Sequence, residues 1–124
     1  MITGVGNDVV ETARIKKAME KNSFVEKFFT PNEIEYLKTK NFSVETAAGM
    51  FAAKEAVSKT LGLGFRGYMP KDMEITHDEY GKPGVKLFPK AEEKIACMGK
   101  INIHLSISHC KEYATAFAVA EKEE

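Results

Sequence analysis

Residues 51–59, FAAKEAVSK, are the stretch whose reading decides the fold. On a helix advancing about 100° per residue, the segment from about 43 to 61 is apolar round nearly its whole circumference. A helix of that composition is buried on most sides. One narrow polar stripe holds Lys54, Ser58, Glu55 and Lys59, with Phe51 among them. Glu55 and Lys59 stand one turn apart and face the same way. The stripe reads either as an ordinary exposed Glu–Lys pair or as the wall of a cleft, where a carboxylate and an ammonium serve a ligand. Gly62 and Gly64, in LGLGFRG, end the helix.

Working outward, ITGVGNDVV (2–10) reads as a strand with Ile2, Gly4, Gly6 and Asp8 on one face. Two glycines beside an aspartate leave room for something to approach closely. Asp8-Val9-Val10-Glu11 also fits a helix N-cap box, ahead of a helical segment at about 11–21 and a second at 23–29. Thr30-Pro31-Asn32-Glu33 carries the cap, the proline and the glutamate of a helix start.

The second half alternates. MEITH (73–77) and VKLF (85–88) read as strands joined by the turn-rich DEYGKPG. Pro89 opens a helix to about 98. INIHLSIS (101–108) puts Ile101, Ile103, Leu105 and Ile107 on one face, and ATAFAVAE (114–121) is a final strand before a frayed EKEE tail. His77 and His104 read as structural strand residues, whereas His109 stands at a strand end from which it reaches a ligand. Helices and hairpins in this order predict an α+β fold, an antiparallel sheet covered on one side, in a single domain over 1–124.

The chain has 124 residues, 18 of them basic and 18 acidic, a balance that argues against a nucleic-acid binder. MITGVGND lacks the basic start and apolar core of a signal peptide, and ATAFAVA (114–120) is too short to span a bilayer. No membrane association is expected. Cys97 and Cys110 read as reduced thiols of a cytoplasmic protein. If Asp8 and Glu55 meet in space, two carboxylates without His or Cys suit a hard cation such as Mg²⁺.

GNDVVETARI (6–15) resembles the Gly-x-Asp-(x)5-Arg motif of the holo-acyl-carrier-protein synthases, and FAAKEAVSKTLGLG (51–64) their Phe/Trp-Ala-Ala-Lys-Glu-Ala-x-x-Lys signature. GKP (81–83) and SISH (106–109) fall where that family has them. The resemblance spans essentially the whole chain. It implies a phosphopantetheinyl-transferase fold whose sheet is covered by a long helix, in a homotrimer with active sites between subunits. The implied activity moves 4′-phosphopantetheine from coenzyme A to a serine of apo acyl carrier protein.

By the same resemblance, Asp8 and Glu55 are the ligands of Mg²⁺, with Mn²⁺ as the alternative, and Lys59 adds a cation at the diphosphate. Phe51, Ser58 and Gly62 lie along the phosphates and pantetheine arm. Gly81, Lys82 and Pro83 border the adenine, and His109 the nucleotide end. Glu55, acting through a metal-bound water, is the candidate acceptor of the serine proton. Arg14, Lys17 and Lys21, on one helical face, dock the acidic carrier together with Phe24 and Lys27. Met50 stands where many relatives have Arg, so any phosphate or subunit contact that Arg makes there is not carried over to this chain. A relative that binds coenzyme A or carrier without turnover is the alternative reading.

Overall fold

The computed structural model describes residues 1–124. Its elements run β1 (Ile2–Glu11), α1 (Thr12–Met19), α2 (Asn22–Phe28), α3 (Pro31–Thr39), α4 (Val44–Thr60), β2 (Met73–His77), β3 (Pro83–Leu87), α5 (Pro89–Ile95), β4 (Ile101–His109) and β5 (Tyr113–Lys122). The strands form an antiparallel sheet in the order β1-β5-β4 and a separate β2-β3 hairpin. The fold is α+β, and the first strand pairs with the last.

α4 lies against the inner face of the sheet, and small residues set how close it comes. Ala114, Ala116, Ala118 and Ala120 line that face of β5 and are buried, as are Ala47, Ala48, Ala52, Ala53 and Ala56 of α4. Gly4 and Gly6 do the same for β1. A Cβ at Gly4 would overlap the Thr60 carbonyl, and one at Gly6 would overlap the Ala56 carbonyl and come within 2.8 Å of the Thr60 nitrogen. The Thr60 hydroxyl lies 2.8 Å from the Ala56 carbonyl and 3.1 Å from the Ala118 carbonyl, so helix and central strand share it. α4 ends where Gly62 turns to φ +78° and Gly64 donates its N–H back to the Ser58 carbonyl at 3.2 Å.

The opposite face of the sheet is open. Val5, Val9 and Phe117 are 59%, 63% and 48% exposed there, neighbours across the β1–β5 ladder.

Several sequence expectations are corrected. Asp8 is no helix cap: it sits within β1 opposite Ala116, and the cap of α1 is Glu11, whose side chain makes no capping bond. The helix expected over 11–21 stops at Met19, and Lys21 is the extended residue ahead of α2. Arg14, Lys17 and Lys21 therefore do not share one helix. The helix opened by Pro89 ends at Ile95 and tightens into a 3-10 turn over Ala96–Met98. The EKEE tail is not wholly frayed, since Lys122 pairs with Ile101 and Glu123 donates its N–H to the Lys100 carbonyl.

The largest correction concerns Lys54. It leaves the polar stripe and is wholly buried, in an ion pair with Glu33 at 2.6 Å. Its ammonium also donates to the carbonyls of Phe28 (2.8 Å) and Pro70 (3.0 Å). Glu33 is equally engaged, accepting the N–H groups of Thr30 (2.8 Å) and Ile75 (2.7 Å). The Thr30 hydroxyl caps α3 by accepting from Glu33 N–H and donates to Glu74 at 2.6 Å. Burial pushes the Glu33 carboxyl up and the Lys54 ammonium down, each against the pull of its partner. A buried ion pair persists only when its remaining hydrogen-bonding capacity is filled, as it is here.

Lys54→Ala strands the Glu33 carboxylate and two carbonyls, and should cost about 3–5 kcal/mol. The double variant Lys54→Met, Glu33→Leu should lose much less, because no charge is left unpaired. Urea unfolding of both variants checks this; equal losses would mean that packing, not charge pairing, matters at the site.

Candidate active site

The glycine stripe of β1 continues into Asp8, and the face of α4 above it continues into Glu55 and Lys59. Because strand and helix run in opposite directions across the contact, Gly4 faces Thr60, and Gly6 faces both Ala56 and Thr60. Asp8 then meets the turn that carries Glu55 and Lys59. The Lys59 ammonium lies 3.1 Å from Asp8 Oδ1 and donates to the Asn7 carbonyl at 3.0 Å. The Lys59 side chain is 52% exposed and that of Asp8 16% exposed, and Asp8 also lines a cavity of about 230 Å³ with Ser106 and Ser108. Glu55 is half-buried. Burial first, and repulsion from Asp8 second, raise its carboxyl above the ordinary range, while Lys59 pulls the other way.

Asp8, Glu55 and Lys59 thus form one cluster. Two carboxylates compete for one ammonium, and the excess of negative charge is what a divalent cation relieves. No third carboxylate, His or Cys joins them to complete a protein-only metal cage. The donor set fits Mg²⁺ or Mn²⁺, hard cations that take one or two carboxylates and draw their other ligands from water and phosphate.

Other residues of the α4 signature are placed differently. Ser58 is buried, and its hydroxyl donates to the Glu55 carbonyl at 2.7 Å. Phe51 stacks on Phe28 with 4.7 Å between centroids, and Phe24 stacks on Phe28 at 5.5 Å. These rings join the α1–α2 region to α4. Gly62 is exposed at the end of the helix.

A second cavity, of about 260 Å³, opens between the start of α4, the hairpin turn and the end of β4. It gathers Gly81, Pro83 and His109, with Met50 in its floor. Lys82 is exposed in the same turn, which Asp78 Oδ1 fixes by accepting the N–H groups of Tyr80 and Lys82, each at 2.8 Å. His109 Nδ1 lies 3.7 Å from Glu45. Sequence reasoning missed the other side of this cavity: Tyr36, Lys40, Thr46 and His77. Tyr36 and His77 stack in parallel at 3.9 Å, and Lys40 lies over the Tyr36 ring at 5.7 Å. Met50 brings no charge, so Lys40, His77 and His109 are the basic groups here.

The chain matches the family model described as the 4′-phosphopantetheinyl transferase superfamily over residues 4–118. It is 51% identical over 122 residues to the holo-[acyl-carrier-protein] synthase of Clostridium botulinum (strain Eklund 17B / Type B), covering 98% of each chain. Among solved structures, it resembles the holo-[acyl-carrier-protein] synthase of Neisseria meningitidis (34% identity, TM-score 0.90, 98% of this chain and 100% of that one). It also resembles one from Bacillus anthracis str. Ames in complex with CoA (3′,5′-ADP), at 36% identity and TM-score 0.84, covering 99% of each. The chain belongs to the 4′-phosphopantetheinyl transferase superfamily. No helix is long and apolar enough to cross a membrane.

His77 supplies a pH test of the cavity. Burial, and then Lys40, lower its pKa from the usual value, while Asp78 acts in the opposite sense. The unfolded chain therefore binds the His77 proton more readily than the folded one. Stability is full above about pH 6.5 and falls as pH drops through that value toward the lower folded one. In His77→Phe, which keeps an aromatic ring against Tyr36, this part of the loss should vanish. Urea midpoints of the two proteins should diverge between about pH 7 and 5; a constant difference would show that His77 does not titrate in this way.

Proposed function

We propose that this protein is a holo-acyl-carrier-protein synthase, an enzyme that transfers 4′-phosphopantetheine from coenzyme A to a serine of apo acyl carrier protein. The observation that carries the proposal is the convergence of Asp8, Glu55 and Lys59 in one cluster, in a chain of this superfamily. In the reaction the serine oxygen forms a bond to the β-phosphorus. The bond from that phosphorus to the bridging oxygen breaks, and adenosine 3′,5′-bisphosphate leaves. Such transfer depends chiefly on positioning and charge neutralisation.

Asp8 and Glu55 would hold Mg²⁺, or Mn²⁺ in its place, which when bound supplies positive charge to the diphosphate oxygens. Lys59 Nζ, already beside Asp8, neutralises the same phosphates. Glu55, acting through a bound water, accepts the proton of the serine hydroxyl. Phe51, Ser58 and Gly62 belong to the wall along the phosphates and pantetheine arm. For Ser58 that role passes through the Glu55 carbonyl, since its hydroxyl is committed there. Gly81, Lys82, Pro83 and His109 border the nucleotide end in the second cavity.

The chain acts as one domain over 1–124, in the cytoplasm. It assembles as a homotrimer, a reading supported by the apolar outer face of Val5, Val9 and Phe117. The acidic carrier docks on Arg14, Lys17, Lys21 and Lys27, all exposed, beside the half-buried Phe24.

Incubation with coenzyme A, Mg²⁺ and apo carrier, followed by mass spectrometry of the carrier, tests the activity directly. Modification should appear with the wild type and be lost in Asp8→Ala and in Glu55→Ala, with both variants folded. In Lys59→Ala the rate should drop by about a hundredfold or more. Near-normal turnover in either carboxylate variant would remove the metal assignment.

Docking has its own readout. Arg14→Glu with Lys17→Glu should raise KM for the carrier and leave KM for coenzyme A nearly unchanged. Added salt should act on the wild type in the same selective way. Steady-state kinetics with each substrate varied separately decides it: equal effects on both constants would point to general damage, and no effect on either would place the carrier elsewhere.

A further inference from the structure

Tyr68 is the one buried side chain whose polar atom has no hydrogen-bond partner. The residue is 2% exposed, and its hydroxyl lies out of reach of every donor and acceptor. A buried hydroxyl without a partner costs about 1–3 kcal/mol, and a native fold keeps one for a reason.

The path of the chain brings Tyr68 alongside α4. After α4 ends, residues 62–70 fold back along the helix. Gly64 is tied to the Ser58 carbonyl, and the Pro70 carbonyl is tied to Lys54. These two anchors bracket the turn of α4 that carries Glu55, and Tyr68 passes between them. Phe65 packs on the Tyr68 ring at 5.4 Å and fixes its plane. Burial, with the charge of Glu55 second, pushes the phenol up to about 12. The hydroxyl therefore keeps its proton at neutral pH and is a donor near an acceptor that it does not touch.

We propose that Tyr68 is a positioning residue for Glu55: its hydroxyl donates to the Glu55 carboxylate when that carboxylate turns to take a divalent cation, and so fixes which carboxylate oxygen faces the metal. This rests on the reading of Glu55 as a metal ligand. A carboxylate that binds a cation through one oxygen has the second free to accept, and a donor on that second oxygen holds the ligand in orientation. The partnerless hydroxyl is then a contact that Glu55 completes on taking the cation.

Tyr68→Phe removes the hydroxyl and keeps the ring. Two measurements on the full-length protein test the inference. The first is the melting temperature without metal or coenzyme A, which should be unchanged or slightly raised. The second is Mn²⁺ binding in the presence of coenzyme A, read from the loss of the free Mn²⁺ electron paramagnetic resonance signal. There the dissociation constant should rise about tenfold, the size expected for one hydrogen bond to a charged group. Glu55→Gln run alongside separates the two readings. If Glu55→Gln binds Mn²⁺ like the wild type, the metal assignment fails. If Glu55→Gln loses Mn²⁺ and Tyr68→Phe does not, the Tyr68 inference alone is overturned. A lower melting temperature in metal-free Tyr68→Phe also overturns it, since the hydroxyl would then have a partner at rest.

Discussion

The contact of the α4 backbone with β1 is the constraint on which the rest of the molecule depends. Carbonyls of Thr60 and Ala56 occupy the space that side chains would fill at Gly4 and Gly6. Any larger residue lifts the helix from the strand. Asp8 follows the two glycines on the same face, and Glu55 and Lys59 follow on the helix, so the lift would separate the groups that now interact. The 3.1 Å contact between Lys59 and Asp8 is therefore a product of close backbone packing. The alanines of β5 and α4 extend the same short spacing across the sheet.

Adjacent residues of α4 carry opposite duties because a helix turns about 100° between them. Lys54 points inward to Glu33 and binds four segments of chain in one buried network. Glu55, its neighbour, is half-buried beside Asp8 and Lys59. The aromatic group around Phe28 packs beside this network, and the Lys54 ammonium lies 5.1 Å from the Phe28 centroid. The aromatic rings of α2 are thus packed on the helix that bears the candidate catalytic groups.

Elements with a strong local signal were legible in the sequence. The alternation of INIHLSIS, the Thr30 capping box and the Ala-rich helix ended by Gly62 all depend on near neighbours, and each appears as read. What was not legible depends on residues far apart in the chain. The destination of Lys54 is set by Glu33 on another helix, and nothing near FAAKEA marks it as buried. The break after Met19 has neither Gly nor Pro to announce it. The Asp8 N-cap pattern was outweighed by β1 pairing with β5 at Ala116. For the site, the resemblance supplied the pairing of Asp8 with Glu55, which spacing alone left open. The Tyr36–Lys40–His77 side of the second cavity has no motif, because a helix end and a hairpin meet there only in three dimensions.

The pairing of the first strand with the last has a consequence for how the chain is made. The central strand of the three-stranded sheet is β5, so neither β1 nor β4 has its ladder until Tyr113–Lys122 has emerged. During synthesis β1 emerges before its partner and waits with an open edge until β5 has followed. α4 can shelter the glycine face of β1 in that interval, but not its unpaired amides. Joining strands so distant in sequence is slow, because the loop is closed before the contacts that reward closure exist. The strand that completes the sheet is also the last of the five to be translated.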